Sequence, residues 1–282
     1  MASLMPPWQV ETALLLVPTG AIMSFNWVYL HSPGSAMATK KPKPKRIDRI
    51  AFEPGEILVD RYEIVQRLGA GWEGEVYLIQ ELTTGIDRTA KFFFPHRNPK
   101  DRAAQFYAKK LHKLRHCPIV IQYFSQEHIT YQDTRVAMLI SEFVEGEILS
   151  EFLARQPGKR LSPFQALHLL HALASGIECI HQSGDYHGDL HTDNIILQRF
   201  GLGFDLKLLD MYQWGAAKRE NIAEDVINMI HIFYESLGGK KYYAKQPAPV
   251  KEIICGLKRS LILKKFRRAG QLRNHLETMA WD

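Results

Sequence analysis

Four short stretches carry the side chains that could do chemistry. The first, Leu68-Gly69-Ala70-Gly71-Trp72-Glu73-Gly74-Glu75-Val76-Tyr77, holds Gly69, Gly71 and Gly74 in a G-x-G-x-x-G pattern. Alone, that pattern reads equally as a Gly-rich turn or as a dinucleotide site. A dinucleotide fingerprint needs a helix directly after the glycines, with the pyrophosphate on its N-terminus. Here the residues after Gly74 alternate as a strand that ends near Gln80. Glycines in such a strand–turn–strand unit let backbone N–H groups approach phosphates from above. The second stretch is Ala90-Lys91 in the next strand, the third is Tyr186-His187-Gly188-Asp189-Leu190-His191-Thr192-Asp193-Asn194, and the fourth is Asp210 after Leu206-Lys207-Leu208-Leu209. An Asp and an Asn in one loop are ordinarily turn chemistry. His181, His187 and His191 could suggest a metal site, although packing of the loop backbone explains His187 without one. The order of the four stretches is what makes coincidence a poor account of them.

These side chains need elements to position them. Residues 62–66 and 75–80 alternate apolar and β-branched residues and read as strands, with a third over 89–94 after a turn at Thr84-Gly85. Residues 101–115 read as a helix with Phe106, Leu111 and Leu114 on one side, and 136–143 as a buried strand ending at Glu145-Gly146. Beyond that point helices dominate. One runs from Ser162-Pro163 to His181, with Ser162 as N-cap and Pro163 at the first helical position. Others cover 225–237, stopped by Gly238-Gly239, then 249–263 and 268–281. Strands first and helices after predict an α+β protein with two lobes and no internal repeat.

In this order the stretches resemble the protein kinase family over residues 55–282. The resemblance implies a two-lobed fold, with a small β-rich N-lobe over 55–143 and a larger helical C-lobe over 144–282 that has a shortened activation segment. It implies a phosphotransferase that uses ATP and Mg²⁺. Gly69, Gly71, Gly74 and Val76 would cover the nucleotide, and Lys91 would hold its α- and β-phosphates as a point charge. Backbone groups of Glu142 and Val144, in the hinge Glu142-Phe143-Val144, would bond the adenine beside Ser141, and Glu147 lies near the place of an acid for the ribose. Asp189 would orient a substrate hydroxyl and accept its proton. Asn194 and Asp210 would be oxygen ligands to Mg²⁺, a hard cation that favours few carboxylates plus phosphate oxygens. His191 stands where serine/threonine kinases usually have a lysine touching the γ-phosphate. Asp225 and Glu235 resemble the start and middle of the central large-lobe helix, and Lys265-Phe266-Arg267-Arg268 with Ala269 and Leu272 loosely resembles the family's ending.

Four departures stand beside the resemblance. The 101–115 helix should present a glutamate to Lys91, yet that position is Tyr107 and the helix has no glutamate. Either Lys91 pairs with Asp210 or the helix swings differently. Gly188 replaces the arginine of H-R-D, D-F-G reads Asp210-Met211-Tyr212, and no A-P-E motif separates Asp210 from Asp225. Three functions stay open: a compact bacterial-type serine/threonine protein kinase, favoured; a small-molecule kinase of the aminoglycoside or choline kinase type; and a pseudokinase acting as a nucleotide-binding module. The acceptor is accordingly a protein or a small molecule.

Composition bounds the rest. The 282 residues are 46% hydrophobic and 23% charged, which excludes a collagen-like or wholly disordered chain and suffices for a core without disulfides. The net charge of +6 is concentrated at 40–49 and 251–273, leaving a slightly acidic remainder; no nucleic-acid partner is expected. Three scattered cysteines predict no disulfide framework and a reducing compartment. Residues 12–30 are uncharged and long enough to span a bilayer, so they are the segment for membrane contact. The lysines after them would keep the rest of the chain cytoplasmic. Alternatively, Met37 is the translation start and the upstream part does not belong to the protein. Residues 1–50 thus form a hydrophobic segment and a basic linker, 40–49 being flexible. No feature of the sequence specifies an oligomeric state.

Overall fold

The computed structural model describes residues 46–201, 203–211 and 215–280. The hydrophobic stretch 12–30, most of the basic linker and Tyr212 lie outside these. Among the described residues no helix is long and apolar enough to cross a membrane.

The first lobe is an antiparallel sheet of β1 (Ile57–Leu58), β2 (Tyr62–Ala70), β3 (Gly74–Glu81), β4 (Asp87–Phe93), β5 (Tyr123–Tyr131) and β6 (Thr134–Glu142), in the order β1-β2-β3-β4-β6-β5. Successive strand residues face opposite sides, and β4 shows the consequence. Ala90 and Phe92 join Ile64, Tyr77, Ile79, Met138 and Ile140 in the outer core, while Phe93 belongs to the core beneath helix α1 (Arg102–Lys113). Lys91 therefore shares the inner side with Phe93. The described end of the linker is packed rather than loose: Ile47 and Ile50 are buried in the outer core, and the Tyr77 hydroxyl donates to the Ile50 carbonyl at 2.9 Å.

Asn98 caps α1, its side-chain oxygen accepting from the N–H groups of Ala103 and Ala104 at 3.0 and 3.2 Å. The helix buries Ala103, Ala104, Tyr107, Ala108 and Leu111, so its inner face consists mostly of small residues and Phe106 sits on the flank. That spacing of three and four residues is the helical one. β5 lacks a sequence signal because it is a half-exposed edge strand whose residues are largely polar.

The second lobe opens with β7 (Glu147–Ile148), α2 (Leu149–Arg155) and α3 (Pro163–Gln182). Ser162 Oγ accepts from the Gln165 N–H at 3.3 Å and Gln165 Oε1 from the Ser162 N–H at 3.1 Å, the reciprocal cap of a helix start. Ala166, Leu169, Leu170, Leu173, Ala174, Ile177 and Ile180 form its buried face. β8 (Ile195–Phe200) and β9 (Gly203–Leu208) pair as a hairpin with β7 on its outer edge. α4 (Arg219–Ser236) begins six positions before Asp225, so that residue is buried inside the helix rather than at its start. α5 (Lys240–Tyr243), α6 (Ala248–Ile254), α7 (Arg259–Lys265) and α8 (Ala269–Thr278) complete the lobe. The single helix expected over 249–263 is broken at Cys255-Gly256-Leu257, where all three φ angles are positive.

Against the expectation for three scattered cysteines, Cys117 and Cys179 form a disulfide, with Cα atoms 5.7 Å apart. It ties the turn after α1 to α3 across 62 positions of chain, a pairing that only the fold brings about.

Candidate active site

β4 supplies Lys91 and β3 lies across from it, with Val76 opposite Lys91. The glycine loop between β2 and β3 is drawn close to β4. A Cβ on Gly74 would lie 1.9 Å from the Phe92 carbonyl oxygen, so no larger residue fits there. The Glu73 carbonyl accepts from the Phe94 N–H at 2.8 Å, and the Gly74 carbonyl from the Gly71 N–H at 2.9 Å. Space is open where a Cβ would stand on Gly69 or Gly71.

Lys91 is buried, and its ammonium sits 3.0 Å from Asp210 Oδ1 and 3.8 Å from Glu73 Oε2. The first of the two arrangements open for Lys91, pairing with Asp210, is the one present. The helix position that should carry a glutamate holds the Tyr107 ring, 5.7 Å from the ammonium. Burial raises the Tyr107 phenol above its ordinary range, and the nearby Asp210 and Glu73 charges raise it further. α1 is instead joined by charge to the segment before the catalytic-type loop: Lys110 and Lys113 lie 3.3 and 3.0 Å from Asp185. Burial lowers the Lys110 pKa, with Asp185 pulling it back.

The loop 186–194 hangs on Asp225. This fully buried carboxylate accepts from the His187 N–H at 2.8 Å and the Gly188 N–H at 2.9 Å, and His181 Nε2 lies 3.0 Å away. Gly188 takes φ 87°, in the left-handed region that glycine occupies without strain. His187 donates through Nε2 to the Leu209 carbonyl at 2.9 Å, and its Nδ1 accepts from the Asp189 N–H at 3.2 Å. Burial lowers its pKa despite the neighbouring Asp225. The Asn194 amide donates to the Asp189 carbonyl at 2.9 Å, which fixes the turn and leaves its oxygen as the remaining ligand atom. Asp189 itself is 61% exposed, with His191 Nε2 3.9 Å from its Oδ2.

Asp210 follows β9 with φ 52° and a half-exposed carboxylate, while Met211 beside it is fully buried. The Leu209 N–H donates to the Asn194 carbonyl at 2.9 Å, joining the strand-end acid to the loop. Lys91, Asp189, Asn194 and Asp210 are thereby gathered from β4, the 186–194 loop and the end of β9. A cation, an exposed carboxylate and two oxygen donors can hold a polyphosphate with a hard metal and act on a hydroxyl.

Other predicted residues have different partners. The Glu142 carboxylate pairs with Lys207 at 2.9 Å and accepts from the Gln122 N–H at 3.0 Å; the Val144 backbone follows it in the hinge. The Glu147 carboxylate pairs with Arg155. His181, His187 and His191 do not converge: the first is engaged by Asp225, the second by Leu209, and the third lies beside Asp189 and Asp193. Among the described residues the grouping with metal-ligand geometry is His116, Cys117 and Cys179, two of which form the disulfide. Sequence reasoning missed the partnership of Glu73 with Lys91 and the clamp made by Asp225. An acid inside a glycine loop was the available signal for the first.

Comparison with known families matches the protein kinase domain over residues 62–246. Over 256 residues the chain is 27% identical to the probable serine/threonine-protein kinase YbdM of Bacillus subtilis, covering 85% of this chain and 97% of that protein. It is 31% identical to serine/threonine-protein kinase pkn2 of Myxococcus xanthus over 165 residues, 56% of this chain but 18% of the relative. Serine/threonine-protein kinase PrkC of B. subtilis is 27% identical over 151 residues, 52% of this chain and 22% of the relative. The family match runs from β2 to just past α5, and the chain belongs to the protein kinase family.

Proposed function

We propose that this chain transfers the γ-phosphoryl group of ATP, with Mg²⁺, to serine or threonine hydroxyls of proteins. The observation that carries the reading is the meeting of Lys91 with Asp210 at 3.0 Å beside a loop that holds Asp189 and Asn194 on one buried carboxylate. Lys91 holds the α- and β-phosphates, the glycine loop covers them, and backbone groups at Glu142 and Val144 meet the adenine. Asp189 orients the acceptor hydroxyl and takes its proton as the new P–O bond forms, while the bond from the γ-phosphorus to the bridging oxygen breaks and ADP leaves. Asp210 and the Asn194 oxygen suit a small hard cation, since both are oxygen donors. When bound there, Mg²⁺ would neutralise charge on the transferring phosphate. His191 is placed to contact the same phosphate. Retention of all four residues supports transfer over a purely binding role, and relatives named as serine/threonine kinases support a protein acceptor over a small molecule. We further propose, from the uncharged stretch 12–30 and the lysines after it alone, a membrane contact with the catalytic unit on the cytoplasmic side.

The test is incubation with γ-labelled ATP and Mg²⁺, alone and with casein. Label should appear on protein, and Asp189→Asn should lower transfer by about a hundredfold or more while nucleotide affinity by calorimetry stays near normal. Asp210→Ala should remove the metal-dependent part of that affinity. Absence of ATP binding by the parent protein, or equal transfer by Asp189→Asn, overturns the assignment.

A further inference from the structure

We infer that Glu73, from the glycine loop, is the positioning carboxylate of Lys91, in the place that the helix leaves to Tyr107. The inference rests on the phosphotransferase reading above.

A buried ammonium is costly unless a carboxylate accompanies it. Helix α1, Arg102–Lys113, contains no acidic residue, so it offers none. Among the described residues, carboxylates of Asp210 and Glu73 reach Lys91, at 3.0 Å and 3.8 Å. They differ in surroundings. Asp210 is half-exposed and is the residue that a metal would engage, whereas Glu73 is buried like the lysine it faces. A metal held by Asp210 would leave Glu73 as the group that fixes where the ammonium stands. The Coulomb attraction between them is strengthened by burial on both sides.

The glycine loop is built to deliver this side chain. The Phe94 N–H bond to the Glu73 carbonyl, together with the absence of a Cβ on Gly74 against Phe92, pins the backbone of residues 73 and 74 to β4. Lys91 lies one position before Phe92 in β4 and three before Phe94, just past the end of the strand, so loop and lysine share one frame. The Tyr107 ring stands 5.7 Å from the same ammonium that the two carboxylates flank. The ion pair that orders the phosphate site is therefore internal to the glycine loop and β4. Helix α1 contributes a ring there and places its own charges, Lys110 and Lys113, on Asp185.

The test uses the full chain with Glu73→Gln, Glu73→Asp and the double variant Glu73→Gln with Tyr107→Glu. Steady-state transfer to casein gives kcat and KM for ATP, calorimetry gives Mg–ATP affinity, and thermal denaturation checks folding. Glu73→Gln should lower kcat about tenfold or more with KM for ATP raised by less than that factor, and with the melting temperature nearly unchanged. Glu73→Asp should recover part of kcat, and Tyr107→Glu should recover part of it by restoring a carboxylate from the helix side. Three results overturn the inference: kinetic constants of Glu73→Gln within twofold of the parent; tighter Mg–ATP binding with faster turnover, which would make Glu73 a competitor of the phosphates; or equal loss in Glu73→Asp and no recovery in the double variant. A parent protein that neither binds nor turns over ATP refutes the phosphotransferase reading instead, and the two failures are thereby distinct.

Discussion

Asp225→Asn is the substitution whose consequence the structure specifies most closely. The carboxylate is fully buried and accepts two backbone N–H groups, at 2.8 and 2.9 Å, with His181 Nε2 at 3.0 Å. Asparagine has the same shape but one acceptor oxygen, so an NH₂ group must face a donor. An orphaned buried donor costs about 1–3 kcal/mol, and the bonds that remain lose the charge assistance worth roughly as much again. The sum, about 3–5 kcal/mol, matches what breaking a buried charged cluster typically costs. For a domain of this size each kcal/mol moves the melting temperature about 2–4 °C, so a drop on the order of 10 °C is expected. Glu224→Gln is the control: that neighbouring carboxylate is half-exposed, pairs with Arg259, and its loss should cost at most about 1 kcal/mol. Calorimetric melting of both variants decides the matter. Turnover by Asp225→Asn should also fall more than nucleotide affinity, because the loop carrying Asp189 loses its anchor. If Asp225→Asn melts within the range of Glu224→Gln, the clamp is not what holds the loop.

The Cys117–Cys179 bond closes 62 positions of chain, which by loop entropy stabilises the fold by about 4 kcal/mol. Cys179→Ser should melt lower than the parent under non-reducing conditions, and alkylation followed by intact mass should find one reactive thiol, Cys255; three reactive thiols without reductant would refute the bond. His187 and His275 both titrate below their ordinary value because of burial. The unfolded chain therefore binds protons that the folded chain refuses, so stability is complete above about pH 6.5 and declines as pH falls through the depressed pKa values. Denaturant titrations at pH 7.5, 6.5 and 5.5 should show that decline, and His187→Gln should reduce its slope. Activity should not need a phosphate on the segment after Asp210, because Gly188 stands where a receiving arginine would be and Tyr212 is the sole hydroxyl between Asp210 and Asp225. Phosphatase treatment should leave turnover within about twofold; a tenfold loss mapped to Tyr212 would overturn this.

The sequence by itself determined the family and the residues that could do chemistry. Glycines followed by a strand, a lysine in the next strand, and an Asp–Asn loop before a strand-end Asp are local signals, each readable in a window of a dozen residues. The capping pair Ser162 and Gln165, with Pro163, likewise announced α3 from its own first turn. Elements whose pattern depends on their neighbours were not legible. β5 is polar because it lies on an edge, and α4 extends ahead of Asp225 because its first turns need no apolar face against the core. Only the tertiary structure decided which charges meet. Lys91 and Asp210 are 119 positions apart, and the loop 187–188 reaches Asp225 across about forty. Such pairings depend on packing of whole elements, to which sequence spacing carries no pointer. The same holds for the disulfide, and for Glu73 the sequence offers the acid within the glycine loop but not its partner. In the sequence Glu73 is one acid among glycines; in the fold the tight approach of Gly74 to β4 turns it onto Lys91, where burial makes a carboxylate obligatory.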